Sequence, residues 1–261
     1  MRYALALEYD GAAFCGFQTQ PARCAIQDAL EAALAAIADG SVRVQPAGRT
    51  DAGVHATSQI VHFDTDAARP PTAWVRGVNS KLPESIAVLW CAPVPADFHA
   101  RFSASARHYT YLLMNRGERP GIAHGRVGWY ASPLSVDAMR DAAARLEGTH
   151  DFSSFRAAEC QAKTPVRTLT RAAVIADGTQ LRFEFSANAF LQHMVRNIVG
   201  ALVAVGAGRQ PPQWIDALLA AADRTRGAAT FDAAGLYFTG ADYPAALALP
   251  PTRRAVAPSG A

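Results

Sequence analysis

One stretch of the chain concentrates chemistry: Gly48-Arg49-Thr50-Asp51-Ala52-Gly53-Val54-His55. Two glycines flank a single carboxylate, and an arginine stands two positions before it. Such a loop can turn tightly and present Asp51, while small Ala52 and Gly53 let a substrate come close. An aspartate in a turn also commonly bonds its own backbone, so a structural and a catalytic role for Asp51 both stand at this point. His55 reads as a structural histidine rather than a base. A second stretch, Asn188 to Gly200, sets Arg196 among apolar residues. Leu191, Val195, Ile198 and Leu202 form a core stripe, and His193, Arg196 and Gly200 fall on another face at i, i+3 and i+7. A buried unpaired arginine is costly, so Arg196 requires a carboxylate such as Asp51 or Glu184, or a route to solvent. The third stretch is Arg107-His108-Tyr109-Thr110-Tyr111, whose two tyrosines share a strand face. Alternating tyrosines serve a core, or a platform on which an exposed RNA base stacks.

The background to these residues narrows the classes. The 261 residues are 50% apolar and 18% charged, which supports a real core and excludes global disorder. No uncharged apolar run reaches the roughly 18 residues of a membrane helix. The strand-like MRYALALEYD at the start predicts no secretory or transit peptide, and hence a soluble cytoplasmic protein. Cys15, Cys24, Cys91 and Cys160 contain no CxxC pair, and the seven histidines form no HxxxH or HExxH. Disulfides are therefore not expected, and metal catalysis has little support. Net charge is only +3, yet all basic residues except Lys81 and Lys163 are arginine, the side chain suited to phosphates and bases. Between Phe98 and Arg126, Arg101, Arg107, Arg116, Arg119 and Arg126 face the single acid Glu118, a modest phosphate-binding stripe.

The elements that must position these groups can be read from periodicity. Tyr3, Leu5, Leu7 and Tyr9 alternate along an opening strand, Arg2–Tyr9. Ile26, Leu30, Leu34 and Ile37 predict a helix over 26–38, stopped by Gly40. The GRTDAGVHA loop precedes a strand near 59–64, a short helix contains Trp74 and Val78, and a strand spans 86–91. The second half opens with a strand over 107–114, and its main helix follows Ser135 as N-cap. Asp177-Gly178 marks a hairpin, 188–206 reads as one long buried helix, Pro211-Pro212 begin another, and a strand near 236–243 closes the fold. The plan is α+β: two side-by-side halves, 1–105 and 106–248, each an antiparallel sheet with helices. The Pro- and Ala-rich tail, 249–261, is expected to be disordered.

Taken in order, GRTDAGVHA, FHARFSASARHYTYLL, GTHDFSSFRAAECQAKTPVRTL, NAFLQHMVRNIVGAL and GLYF resemble the tRNA pseudouridine synthase A family. The resemblance runs from about Tyr9 to Pro244, and five motifs in order with compatible spacing are highly specific. It implies the pseudouridine synthase fold with a basic active-site cleft between the halves, and isomerisation of uridine to pseudouridine at positions 38, 39 and 40 of the tRNA anticodon stem-loop. It also implies a homodimer acting on tRNA without cofactor, metal or membrane. By motif, Asp51 matches the nucleophilic aspartate, Tyr109 the tyrosine stacked on the target base, and Arg49 the arginine that enters the RNA where the base has flipped. Arg196 matches the basic partner of the aspartate. Phe98, His99, Arg101 and Phe102 in FHARF, Glu159, Cys160, Gln161 and Lys163 in ECQAK, and Arg69 match segments that touch tRNA. The chain departs from the family pattern at FDAA before GLYF, where proline is common, at Cys15 in FCGFQ, where an aromatic is frequent, and at Ser85, where an acid is usual. Whether the aspartate attacks C1′, attacks C6 or abstracts a sugar proton is left open by the residues. A non-catalytic RNA-binding protein would not require the Asp51 loop. A glycoside hydrolase would commonly require a second, paired acid.

Overall fold

The chain, described over residues 1–256 in a computed structural model, runs through ten strands and five α-helices. In order these are β1 (Arg2–Tyr9), α1 (Ile26–Ala38), β2 (Val44–Pro46), β3 (His55–Asp64), α2 (Pro71–Asn79), β4 (Ile86–Val94), β5 (Ala106–Asn115) and β6 (Gly128–Tyr130). They continue as α3 (Val136–Ala144), β7 (Gly148–Asp151), β8 (Val166–Asp177), β9 (Gln180–Ala187), α4 (Met194–Gly206), α5 (Trp214–Ala221) and β10 (Leu236–Asp242). The chain divides into two compact units, Met1–Arg107 with the chain from Tyr237 onward, and His108–Leu236.

In the first unit the strand order is β4-β1-β3-β10, with β2 beside β3. β1 lies antiparallel to both neighbours, Leu5 opposite Val61 and Cys91. Its expected alternation understates its burial, since Ala4 and Ala6 are as fully covered as Leu5 and Leu7. Phe63, Tyr3 and the fully buried Trp74 of α2 form an aromatic cluster over β1 and β3. α1 has its predicted bounds because Ile26, Leu30 and Leu34 recur on one buried face. Asp28 accepts the Ala25 N–H in its first turn. Asp39, not Gly40, takes the left-handed conformation that ends it (φ 55°).

The division of the chain differs from the sequence expectation. β10 belongs to the first unit, not to 106–248, because it pairs in parallel with β3, Tyr237 opposite His55 and Phe238 opposite Ala56. The tail also departs from expected disorder as far as Arg254. The carbonyls of Pro251, Thr252 and Arg254 accept bonds from Trp90, Ser58 and Thr57, and Arg254 pairs with Glu8 at 2.8 Å. The last part of the expected disordered tail, 257–261, lies outside the described residues.

In the second unit the strand order is β5-β9-β8-β7, with β6 parallel to β5. Asp177 and Gln180 close the predicted β8–β9 hairpin, with Gly178 at φ +57°. Ser135 caps α3 by accepting the Ala138 N–H at 3.3 Å. The long helix is shorter than expected: α4 begins at Met194, and 188–193 is not helical. Asn188 is the cause at one end, since its side chain accepts the N–H groups of Thr168 and Ala189, bonds that compete with a helix. His193, in the left-handed region at φ 60°, is the break at the other. Among the described residues no helix is long and apolar enough to cross a membrane.

Candidate active site

The first unit supplies Asp51. Its loop follows β2 and precedes β3, and each of its turns is held from a distance. Arg107, itself buried, donates to the Ala47 carbonyl. Gln59 of β3 donates to the Gly48 carbonyl at 2.7 Å. The Thr50 carbonyl accepts the Phe17 N–H at 2.9 Å, and the Thr50 hydroxyl lies 2.7 Å from the Tyr9 hydroxyl. Val54 N–H then donates to the Asp51 carbonyl, closing the turn through the backbone. Thr50 is buried by these contacts, Asp51 is half-buried and Arg49 is exposed. His55 is buried, with Nδ1 3.0 Å from the Gly11 amide and 3.1 Å from the Asp10 carboxylate, and its ring stacks on Tyr237 at 4.8 Å, as a structural histidine.

The segment from β1 to α1 lies directly against this loop. Gly16, at φ +96°, sits so close that a Cβ there would meet the Thr50 carbonyl oxygen at 2.8 Å and the Asp51 carbonyl carbon at 3.1 Å, so no side chain fits. Here one expectation is corrected: Cys15 and Cys24 form a disulfide. The spacing of nine residues gives no hint of it. The segment folds back so that Cys15 N–H bonds the Cys24 carbonyl and Ile26 N–H the Gly16 carbonyl, which brings the Cα atoms to 5.5 Å, within bonding range. Cys91 and Cys160 remain thiols, and burial pushes the Cys91 thiol up to about 12.

The second unit supplies Arg196 and Tyr109. α4 is buried along its length, and within it Arg196 alone is partly exposed. The Arg196 Nε donates to the Phe231 carbonyl at 2.8 Å, and Phe231 N–H returns a bond to the Arg196 carbonyl. Glu184, one partner considered for Arg196, pairs instead with Arg171 at 2.7 Å and Arg182 at 3.1 Å. Next to Arg196, buried Asn197 donates to the Phe155 carbonyl and accepts from Arg224 and Thr230, tying α4 to the 224–231 segment. The FDAA departure is accommodated there: the Asp232 side chain accepts the Ala234 N–H, making the turn without proline. Tyr111 is fully buried and donates to the Asp232 carbonyl, and burial raises its pKa. Tyr109 is buried on β5 with Phe190 edge-on at 4.9 Å.

The remaining predicted contacts divide by exposure. Arg101 and Phe102 are exposed, with the guanidinium 5.6 Å from the ring centroid, and His99 lies beside Phe102 at 4.3 Å. Phe98 is buried against Tyr243 and His62, so it supports this run from beneath and offers no surface to a ligand. Glu159, Gln161 and Lys163 are exposed, Cys160 is half-buried, and exposed Arg69 donates to the Ile37 carbonyl. Sequence reasoning missed Tyr9, Gln59 and Arg107 as supports of the Asp51 loop. β3, which reads HATSQIVHFD, holds several polar residues, so nothing in its sequence singled out Gln59. Among the described residues no group of three or more His, Cys, Asp or Glu is placed to hold a metal ion.

Comparison with known proteins identifies the family. A family model described as tRNA pseudouridine synthase matches residues 5–103 and 142–244. The chain is 57% identical to tRNA pseudouridine synthase A of Thiobacillus denitrificans, over 96% of each chain. It is 58% identical to the protein of that name from Dechloromonas aromatica, over 93% of each. A crystal structure of an archaeal box H/ACA sRNP Nop10–Cbf5 complex is similar over 77% of this chain and 44% of that one, at 11% identity and a TM-score of 0.35.

Proposed function

The chain belongs to the tRNA pseudouridine synthase family and isomerises uridine to pseudouridine in tRNA, and from that premise we propose that Asp51 acts on uridines 38, 39 and 40 of the anticodon stem-loop. The reaction breaks the N1–C1′ bond and forms C5–C1′; the proton leaving C5 is balanced by one gained at N1. Nothing is oxidised and no external group is transferred, so the chemistry calls for no cofactor. A carboxylate serves by attack on the sugar or the base. The observation that carries this reading is the Asp51 loop: one half-buried carboxylate on a backbone fixed at Ala47, Gly48 and Thr50, with exposed Arg49 beside it.

The other residues take the roles that the family resemblance implies. Tyr109 stacks on the target uracil, offsetting part of the few kcal/mol that base flipping costs. Arg49 enters the RNA at the vacated position, and Arg196 pairs with Asp51 to keep it ionised and aimed. His99, Arg101, Phe102, Arg69, Glu159, Cys160, Gln161 and Lys163 contact the tRNA, with salt-sensitive affinity from the cationic members. Phe98 holds the FHARF run in place. The working form is a cytoplasmic homodimer, whose second subunit adds basic surface for the distal parts of the tRNA.

The test is incubation with unmodified tRNA and mapping of pseudouridine at single-nucleotide resolution. Wild type places product at 38, 39 and 40. Asp51→Asn yields none while binding tRNA within about tenfold of wild type, or about 1.4 kcal/mol. Product elsewhere in the tRNA overturns the site assignment, and turnover by Asp51→Asn overturns the role of Asp51.

A further inference from the structure

From the buried polar groups behind the loop we infer that Tyr9, Thr50 and Gln59 form a relay of neutral hydrogen bonds that positions Asp51 for catalysis, an inference that rests on the catalytic reading of Asp51. Tyr9 and Gln59 stand on adjacent strands, β1 and β3, and are 3% and 0% exposed. The Gln59 Nε2 donates to the Gly48 carbonyl at 2.7 Å and to the Tyr9 hydroxyl at 3.4 Å. A carbonyl only accepts, so the amide nitrogen must face Gly48, and this fixes the orientation of the side chain. The Tyr9 hydroxyl continues the chain to Thr50 Oγ1 at 2.7 Å. The two anchored residues, Gly48 and Thr50, are three and one positions before Asp51. Phe17 grips the Thr50 carbonyl from the other side, so Thr50 is held at both its hydroxyl and its backbone.

Stability alone does not account for this choice of residues. The Gly48 carbonyl is main chain and needs a donor in any case. The Tyr9–Thr50 bond, however, joins two side chains, and apolar groups of the same shape, replacing both partners of such a buried bond, are often neutral or better. Here the choice carries a further penalty, because Gln59 Oε1 is buried with no hydrogen-bond partner among the described residues. A core position that accepts an orphaned oxygen in order to keep an N–H donor is serving what the donor touches, which is the backbone leading to Asp51. All three groups are neutral, so they fix the loop without adding a charge that would compete with Asp51 for the substrate. A displacement of about 1 Å at a reacting group is enough to slow a reaction by about a hundredfold.

The experiment measures single-turnover pseudouridine formation at saturating enzyme, tRNA affinity and thermal stability for Gln59→Met, Tyr9→Phe, Thr50→Val and Thr50→Ser. Gln59→Met and Thr50→Val are expected to slow the chemical step about 10- to 100-fold, with tRNA affinity within about twofold and the fold retained. Tyr9→Phe interrupts the same relay, so Tyr9→Phe/Thr50→Val should be no slower than the slower single variant. Thr50→Ser keeps the hydroxyl and should restore the rate to within about threefold of wild type. Wild-type rates for Gln59→Met and Tyr9→Phe overturn the inference, as does a Thr50→Ser no faster than Thr50→Val. Should Gln59→Met fail to fold, Tyr9→Phe, which removes a single oxygen, decides the matter. Asp51→Asn is run alongside. If it is inert while the relay variants are at full rate, only the relay falls; if it is active, the reading of Asp51 falls with it.

Discussion

The two units hold their key residues by different means. Asp51 sits in a loop fixed by hydrogen bonds from Arg107, Gln59, Tyr9 and Phe17, with a disulfide closing the segment beside it. Arg196 rides on a helix that owes its place to apolar burial, with Ile198, Val199 and Leu202 all fully covered, and a short polar tie through Asn197. A loop has no repeating backbone pattern to fix it, so each carbonyl needs its own donor. A helix satisfies its backbone internally and can be placed by packing alone. The contrast predicts that damage to the packing of α4 registers mainly as lost stability, whereas damage around the loop reaches turnover as well.

The largest stability effect should come from that helix. Ile198→Ala removes a fully buried side chain and should cost about 2–5 kcal/mol, read as a lower urea midpoint, with turnover near wild type at a temperature where the variant stays folded. A stability loss of less than about 1 kcal/mol would show that packing is not what holds α4. Next is the covalent tie. Cys24→Ser opens a loop of nine residues and should cost about 2–3 kcal/mol on the chain-entropy account. Reductant should destabilise wild type by a similar amount and leave the variant unmoved. Because Gly16 and Phe17 lie against Thr50, turnover should also fall, which distinguishes this loss from that of Ile198→Ala. Wild type insensitive to reductant would remove the disulfide from the account. Smaller again is Tyr109→Ala, expected to lose about 1–3 kcal/mol in kcat/KM through lost stacking, while Tyr109→Phe keeps tRNA affinity. Equal kcat/KM for Tyr109→Ala and wild type would exclude stacking.

What could be read in advance followed from range of interaction. α1, the Ser135 cap and the Asp177-Gly178 hairpin are set by residues within a turn or two of one another, and their sequence signals were sufficient. Asp51 and Arg196 stood out because each is an unusual residue type in its local setting. The supports of Asp51 were not legible, since Tyr9 and Thr50 are 41 positions apart and Gln59 and Gly48 are 11 apart. The pairing of β2 with β3 brings Gly48 to Gln59, and the pairing of β1 with β3 brings Tyr9 into the same cluster. The Cys15–Cys24 bond was hidden for a related reason: it depends on how the segment folds back, not on spacing. The overextension of α4 came from apolar periodicity that continues through Leu191, where Asn188 interrupts the helix by bonding backbone N–H groups and His193 by its left-handed conformation.

The last effect is one of pH and concerns the first unit. His62 of β3 lies beneath the FHARF run, where its Nδ1 accepts the Ala100 N–H at 3.2 Å and its ring contacts His99 at 4.5 Å. Burial, then the neighbouring His99 and the Arg2 cation, lower its pKa from 6.5 to about 4, outweighing the opposing pull of Asp64 and of the Gln45 backbone. His99 is lowered too, first by burial and then by Arg2 and Arg101. Between pH 6.5 and about 4 the unfolded chain therefore binds protons that the folded chain refuses, so stability should fall as pH drops through that window. Protonation would also take away the lone pair that Ala100 N–H uses, loosening the segment that carries Arg101 and Phe102. The check is the urea midpoint from pH 7.5 to 4.5 for wild type and His62→Gln. The wild-type curve should decline more steeply, because the variant has lost one group that titrates on unfolding. Parallel curves would mean that His62 does not couple folding to pH, and the acid sensitivity of the first unit would then have to lie in His99 or its carboxylates.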